Sequence, residues 1–199
     1  MSKIKIPDSL EDLILDLKRF PSVGKKTATR YAYWLISQDQ EYLTALAKKV
    51  HYIKKLIKVC KICGNKSKAD ICEICMDKSR ENGVLCIVEQ AEDILQIEKT
   101  EVFKGKYHVL GGIIDPLNKT NFEDLSFDKL SLRINNENIQ ELIIALGNTV
   151  QGDVTTLAIR DLFRDRDLKI SILGRGLSTG AMIEYIDTDT LREAFQNKR

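Results

Sequence analysis

Leu10, Leu13, Ile14 and Leu17 recur at three- and four-residue intervals, which predicts an amphipathic helix over roughly Ser9–Arg19. Ser9-Leu10-Glu11-Asp12 resembles a capping box with Asp in place of the usual Glu. Pro21-Ser22-Val23-Gly24 interrupts the pattern, and a second helix is predicted from Lys25 to Ser37, with Ala28, Tyr31, Ala32 and Leu35 on its apolar face. A third, from Asp39 to Lys58, sets Leu43, Leu46, Ala47, Val50, Ile53 and Ile57 on one side. Its other side carries Lys48, Lys49, Lys54, Lys55 and Lys58. His51 falls on this helix and reads as an ordinary helical residue.

Beyond residue 80 the period changes. Val84–Val88 is an unbroken apolar run ending in Glu89, and a short helix follows over Glu92–Glu98. Tyr107–Leu110, Glu141–Leu146 and Lys169–Leu173 read as further strands, with a loop through Gly152 and a helix over Asp153–Phe163. Unbroken apolar strands alternating with helices imply an α/β fold, a mostly parallel sheet with helices on both faces. Cys86 and His108 fall inside strands and read as structural. Gly111–Asn121 is a loop without periodicity. The Gly-rich turn over Leu173–Gly180 precedes another apolar run, Ile183–Ile186, and lacks the Gly-Lys-Ser/Thr ending of a P-loop.

Between the two regions lie Cys60-Lys61-Ile62-Cys63 and Cys72-Glu73-Ile74-Cys75. Each Cys-x-x-Cys turns two thiolates to one side of a knuckle, and two knuckles supply tetrahedral zinc. Gly64 and Asn65 stand where a knuckle needs a left-handed residue. The short spacer predicts a loop-and-hairpin unit holding one structural Zn²⁺ per chain, since four thiolates leave no position for water or substrate. Two disulfides are the alternative. MSKIKIPDSLEDL has no apolar signal segment, and no apolar run is long enough for a membrane span, so the expectation is a cytoplasmic protein whose thiols bind metal.

The formal net charge of +2 over 199 residues conceals an asymmetry. Residues 1–80 hold 17 Lys/Arg against 9 Asp/Glu, and residues 81–199 hold 14 against 20. The basic part points to a polyanion and the acidic part to a different task. The first two helices and their tight turn form a helix–hairpin–helix pattern, whose turn and helix start offer free backbone N–H groups to phosphate. Lys25, Lys26 and Arg30 add cations there, Lys26 and Arg30 on one face, so single- or double-stranded DNA is gripped without regard to sequence. Many such hairpins carry Gly where this chain has Ser22. Ser resists positive φ, so the turn is less ideal or Ser22 sits at negative φ.

Ligands of open parallel sheets gather beyond the carboxyl ends of the strands. Glu89 ends the first strand and Asp153 follows the third, a placement that suits Mg²⁺. This leaves a metal-dependent nuclease or transferase using Glu89 and Asp153 as the alternative to a binding protein.

In order and spacing, the chain resembles the recombination mediator family RecR. The residues that carry the likeness are Pro21–Arg30, the four cysteines, Leu85–Asp93, Gly112–Leu117, Asn148–Asp153, and Gly176–Gly180 with Glu184-Tyr185. The resemblance implies a helix–hairpin–helix over 1–59, a zinc finger over 60–80, a Toprim domain over 81–173 and an assembly arm over 174–199. It also implies a ring-like homotetramer that clamps DNA and works with RecO and RecF, helping RecA replace single-strand-binding protein at gaps. Lys26 and Arg30 match the family's basic pair. Where the family commonly has Glu-Gly-Glu, this chain has Gln151-Gly152-Asp153, and Ser178 stands where Pro is usual. The neutral Gln151 removes a carboxylate from the set Glu89, Gln151 and Asp153, which weakens two-metal chemistry and favours a vestigial site or a protein-docking surface.

Overall fold

The computed structural model describes residues 6–174, 177 and 180–196. They form two compact units, one running up to Leu56 and one from Ile57 onward. The Gly-rich motif anticipated near the C-terminus is only partly covered, because Arg175, Gly176, Ser178 and Thr179 lie outside the described residues.

In the first unit, α1 (Asp8–Lys18), α2 (Lys25–Ile36) and α3 (Gln40–Leu56) occupy the three predicted helical stretches. Ala28 and Ala32 of α2 are fully buried, and their small side chains let Leu10 and Ile14 of α1 pack close. Three expectations fail here. No capping box forms at Ser9: the helix begins one residue earlier, capped by Pro7, whose carbonyl accepts from the N–H groups of Leu10 and Glu11. Tyr31 is exposed, because the α1–α2 seam is closed by alanines and has no room for a ring. Finally, α3 buries none of its residues among those described, and Val50 and Ile53 of its apolar face are more than half exposed.

The turn between α1 and α2 resolves the question at Ser22, whose φ is +61°. It occupies the left-handed region, at a cost of about 1–2 kcal/mol for an L-residue. Ser22→Gly is expected to raise stability by about 0.5–1 kcal/mol once the greater freedom of glycine in the unfolded chain is subtracted. A urea midpoint that falls instead would refute this assignment of strain.

The second unit opens with an antiparallel hairpin, β1 (Lys58–Val59) against β2 (Lys66–Ser67), followed by the short helix α4 (Glu73–Met76). The sheet then builds from β3 (Val84–Val88), β4 (Lys106–Val109), β5 (Glu141–Ala145) and β6 (Lys169–Ile172). Its order is β4-β3-β5-β6, and every pairing is parallel. Leu85 and Ile87 face one core, shared with Leu142, Ile144, Phe127, Leu130, Ile159 and Phe163. Cys86 and Val88 face the other, with Tyr107, Val109, Ala91 and Ile94. Burial on both faces is why the strand reads as a continuous apolar run instead of an alternating one. Helix α5 (Ala91–Glu98) covers the second face; α6 (Phe127–Asn136) and α7 (Val150–Leu162) cover the first. Beyond the sheet lie a 3₁₀ turn at Ile183–Tyr185 and α8 (Thr188–Gln196).

The predicted loop through Gly152 is helix instead. Thr149 caps α7, its Oγ1 accepting from the Gly152 N–H at 3.0 Å, so Gly152 lies in the first turn. A Cβ at Gly152 would stand 2.1 Å from the Gly147 carbonyl oxygen, so the turn closes only around glycine.

Candidate metal centre and nucleic-acid interface

The sulfurs of Cys60, Cys63, Cys72 and Cys75 are buried and lie within 4.8 Å of one another. All are free thiols, which removes the disulfide alternative. Tetrahedral zinc with bonds of about 2.3 Å spaces its sulfurs about 3.8 Å apart, and Cys63 and Cys72 stand at 3.5 Å. Backbone geometry builds the cage. Gly64 takes φ +80°, letting its N–H reach the Cys60 carbonyl at 2.9 Å, while the Cys72 N–H donates to the Cys60 sulfur at 3.3 Å. Asp70 is clamped by Lys58 at 2.6 Å and Lys61 at 2.5 Å, which pulls its carboxyl down to about 2 and closes the loop between the knuckles.

Electrostatics inside the quartet favour a cation. Cys63 is pushed up by its hydrogen bond with Cys75 and by burial, and Cys72 by burial to about 11. At Cys60 burial also opposes ionisation, yet backbone hydrogen bonds at Cys63, Cys72 and Ile62 bring the thiol down to about 7. Four thiols this close oppose one another's ionisation, and a soft dication among them removes the conflict. The donor set fits a structural metal ion.

The knuckles are fixed to the sheet. The Val109 N–H of β4 donates to the Cys63 carbonyl at 2.8 Å. Downstream, Arg80 forms a bidentate pair with Glu98 of α5 (2.9 and 2.6 Å), and Glu98 also accepts from the Tyr107 hydroxyl. No local pattern announces a pair separated by eighteen positions.

In the hairpin, Gly24 caps α2 without a side-chain hydrogen bond, leaving the first-turn N–H groups to outside acceptors. Lys25, Lys26 and Arg30 are all exposed. Among the described residues none of the three takes part in an ion pair, so their charge faces solvent uncompensated. Tyr31 and Trp34 of α2 are also exposed, and Trp34 meets Tyr42 of α3 edge-on at 5.9 Å.

At the carboxyl edge of the sheet, Glu89 follows β3, and Gln151 and Asp153 lie in the first turn of α7, which follows the neighbouring β5. The Gly111 N–H donates to the Glu89 carbonyl at 2.9 Å. Burial, and then the charge of Asp93, raises the Glu89 carboxyl above its ordinary range. Among the described residues, the cysteine quartet is the one cluster of three or more metal-capable side chains, so no acidic triad converges at this edge. The loop without periodicity is tied to the same helix: the Ile114 N–H donates to Thr155 Oγ1 at 2.9 Å. Cys86 and His108 are buried, His108 Nε2 lying 3.1 Å from the Ser126 carbonyl. His51 lies in α3 against Tyr52.

The helix-hairpin-helix of RecR is matched over residues 10–53 and a Toprim domain over residues 83–174. The chain is 35% identical over 193 residues to recombination protein RecR of Enterococcus faecalis, covering 97% of this chain and 98% of that one. To recombination protein RecR of Desulfitobacterium hafniense it is 38% identical over 199 residues, covering 100% and 99%. The chain belongs to the RecR family. The RecR hairpin match coincides with the three helices of the first unit, and the Toprim match begins one residue before β3 and ends two residues after β6. No helix among the described residues is long and apolar enough to cross a membrane.

Proposed function

We propose that this RecR-family chain is a cytoplasmic, non-catalytic DNA clamp for the recombinational repair of gaps. It acts as a homotetramer with RecO- and RecF-like proteins to help load RecA. Lys25, Lys26 and Arg30 grip the phosphate backbone of single- or double-stranded DNA. One structural Zn²⁺ per chain, held by Cys60, Cys63, Cys72 and Cys75, orders segment 60–80 between the hairpin (1–59) and the Toprim sheet (81–173), and residues 174–199 serve assembly. Glu89, Gln151 and Asp153 form a protein-docking edge in place of a Mg²⁺ catalytic centre.

The observation that carries this reading is the uncompensated charge at the hairpin. Exposed cations beside unpaired helix N–H groups fit a ligand with negative oxygens repeated along its length. At the sheet edge, the neutral Gln151 beside Glu89 and Asp153 supports docking over two-metal strand cleavage.

Zinc-loaded protein is to be titrated against labelled single-stranded and duplex DNA over a range of salt. The Lys26→Ala, Arg30→Ala double variant is expected to bind all sequences more weakly. Its plot of log affinity against log salt flattens by about 1.8 on duplex and about 1.4 on single strands. Retention of the parent slope sinks the hairpin assignment. Supercoiled DNA incubated with Mg²⁺ remains uncut; nicking abolished by Glu89→Gln would move the chain to the enzymes.

A further inference from the structure

We infer that the cavity bounded by β2, β4 and the start of α6 is a site for inorganic phosphate, bound in a form that keeps a proton. This goes beyond the DNA-binding reading and does not depend on it. The cavity measures about 200 Å³, and its polar lining is His108, Ser126, Lys66, Lys129 and Gln90. That is the space of about seven waters, enough for a tetrahedral oxyanion and too little for a nucleoside.

The buried end of the site is His108. It is 1% exposed, and its Nδ1 has no hydrogen-bond partner. Its Nε2 lies 3.1 Å from both the carbonyl and the hydroxyl oxygen of Ser126. That hydroxyl donates onward to the Val109 carbonyl at 2.6 Å, so Nε2 is the nitrogen that carries the hydrogen. Burial keeps the ring neutral by drawing its pKa down to about 4. Nδ1 is then a bare lone pair, which only a donor satisfies.

Charge identifies what the donor belongs to. Among the described residues neither Lys66 nor Lys129 takes part in an ion pair, and no carboxylate lines the cavity. Arg133 and Lys129 both act on the ring through their charge. Gln90 is the N-cap of α5 and Ser126 that of α6, so two helix amino ends border the same space. The first-turn acids Glu92, Asp93 and Asp128 stay out of the lining, and Asp93 is engaged by the Gln90 N–H at 2.8 Å. This field opposes a metal ion on Nδ1, and a neutral donor would leave the lysines unanswered. Sulfate answers the lysines but sets a lone pair against Nδ1. Phosphate at neutral pH brings negative oxygens and an O–H in one ion, and so meets every group present. Lys66 comes from the cysteine-knuckle hairpin and Lys129 from a helix of the sheet, so the bound ion ties the two together.

The zinc-loaded full chain, without DNA, is titrated calorimetrically at neutral pH and fixed ionic strength with inorganic phosphate and, separately, with sulfate. Phosphate binds about ten- to a hundredfold more tightly, the worth of one hydrogen bond to a charged ligand. The chain has two histidines, so with ring nitrogens labelled the His108 signals are told apart from those of His51. Phosphate shifts the His108 Nδ1 resonance as that atom accepts a hydrogen bond, and sulfate leaves it in place. His108→Phe brings phosphate affinity down to the sulfate level. Lys66→Ala with Lys129→Ala weakens both anions alike; both lysines are exposed, so this pair serves should His108→Phe fail to fold. Equal affinity for the two anions with an unmoved His108 resonance overturns the proposal, as does a failure of millimolar phosphate to bind. Phosphate affinity that survives the lysine pair puts the ion elsewhere and overturns the assignment as well.

Discussion

Cys72→Ser, or stripping the metal with a chelator, is expected to unfold residues 58–77 and to cost the second unit much of its stability. Structural zinc in small finger units contributes about 10–16 kcal/mol at neutral pH, and this segment has little else. Its hydrophobic cluster is the four cysteines with Ile62 and Ile74, and its hairpin is two residues per strand. Asp70 and its two lysines are solvent-exposed, and exposed ion pairs contribute little. The loss can be followed as metal release to a chromogenic chelator, matched to hydrogen exchange at the Cys60 and Gly64 amides. Those amides are protected by bonds to Asn65 and Cys60 inside the cage. If stoichiometric metal removal leaves exchange and the denaturation midpoint unchanged, the quartet is not a structural centre.

Gly152→Ala carries the second large effect. Ala ordinarily improves a helix over Gly by about 1 kcal/mol. Here the sign reverses, because the new methyl meets the Gly147 carbonyl oxygen at 2.1 Å, and that oxygen belongs to backbone that cannot rotate aside. Relief requires opening the 147–149 turn, where the Thr149 N–H donates to the Gly147 carbonyl at 2.9 Å. We expect a loss of about 3 kcal/mol or more, at the upper end of overpacking costs, read as a lower urea midpoint. The same opening displaces Gln151 and Asp153, so the edge proposed for docking is disturbed along with stability. A midpoint at or above that of the parent would show that the turn relaxes freely.

Legibility followed how far each residue's role depends on its neighbours in sequence. The β3 run and the two Cys-x-x-Cys knuckles are local patterns whose chemistry is complete within a few residues, and the structure places both where the pattern does. Helix α6 is not legible in the sequence although Phe127, Leu130 and Ile134 keep helical spacing. Its buried stripe includes Arg133, which pairs with Glu137 at 2.8 Å, while Leu132 is 61% exposed, so polarity and burial disagree along it. The sequence pattern misplaces the start of α7 because glycine usually marks a loop, whereas here it admits a close carbonyl. On α3 the apolar face was legible, but nothing in the described unit covers it, since two alanines and two aliphatic residues already complete the α1–α2 seam. Trp34 and Tyr31 were hidden for a related reason: a ring at helical spacing reads as core until the partner helix is shown to be closed by alanine.

With the proposed metal centre, the bond from Val109 to the Cys63 carbonyl has a consequence for the cell under metal starvation. β4 is the outermost strand of its sheet, and on its outer side Arg133 takes the Tyr107 carbonyl while the Val109 amide depends on the knuckle, without which that amide is open to pairing with another extended chain. The knuckle, held by the ion proposed for the quartet, occupies that amide. A chain that loses its ion therefore does more than lose a small module: it uncovers a template for self-pairing, and metal scarcity should deplete the protein through insoluble assemblies.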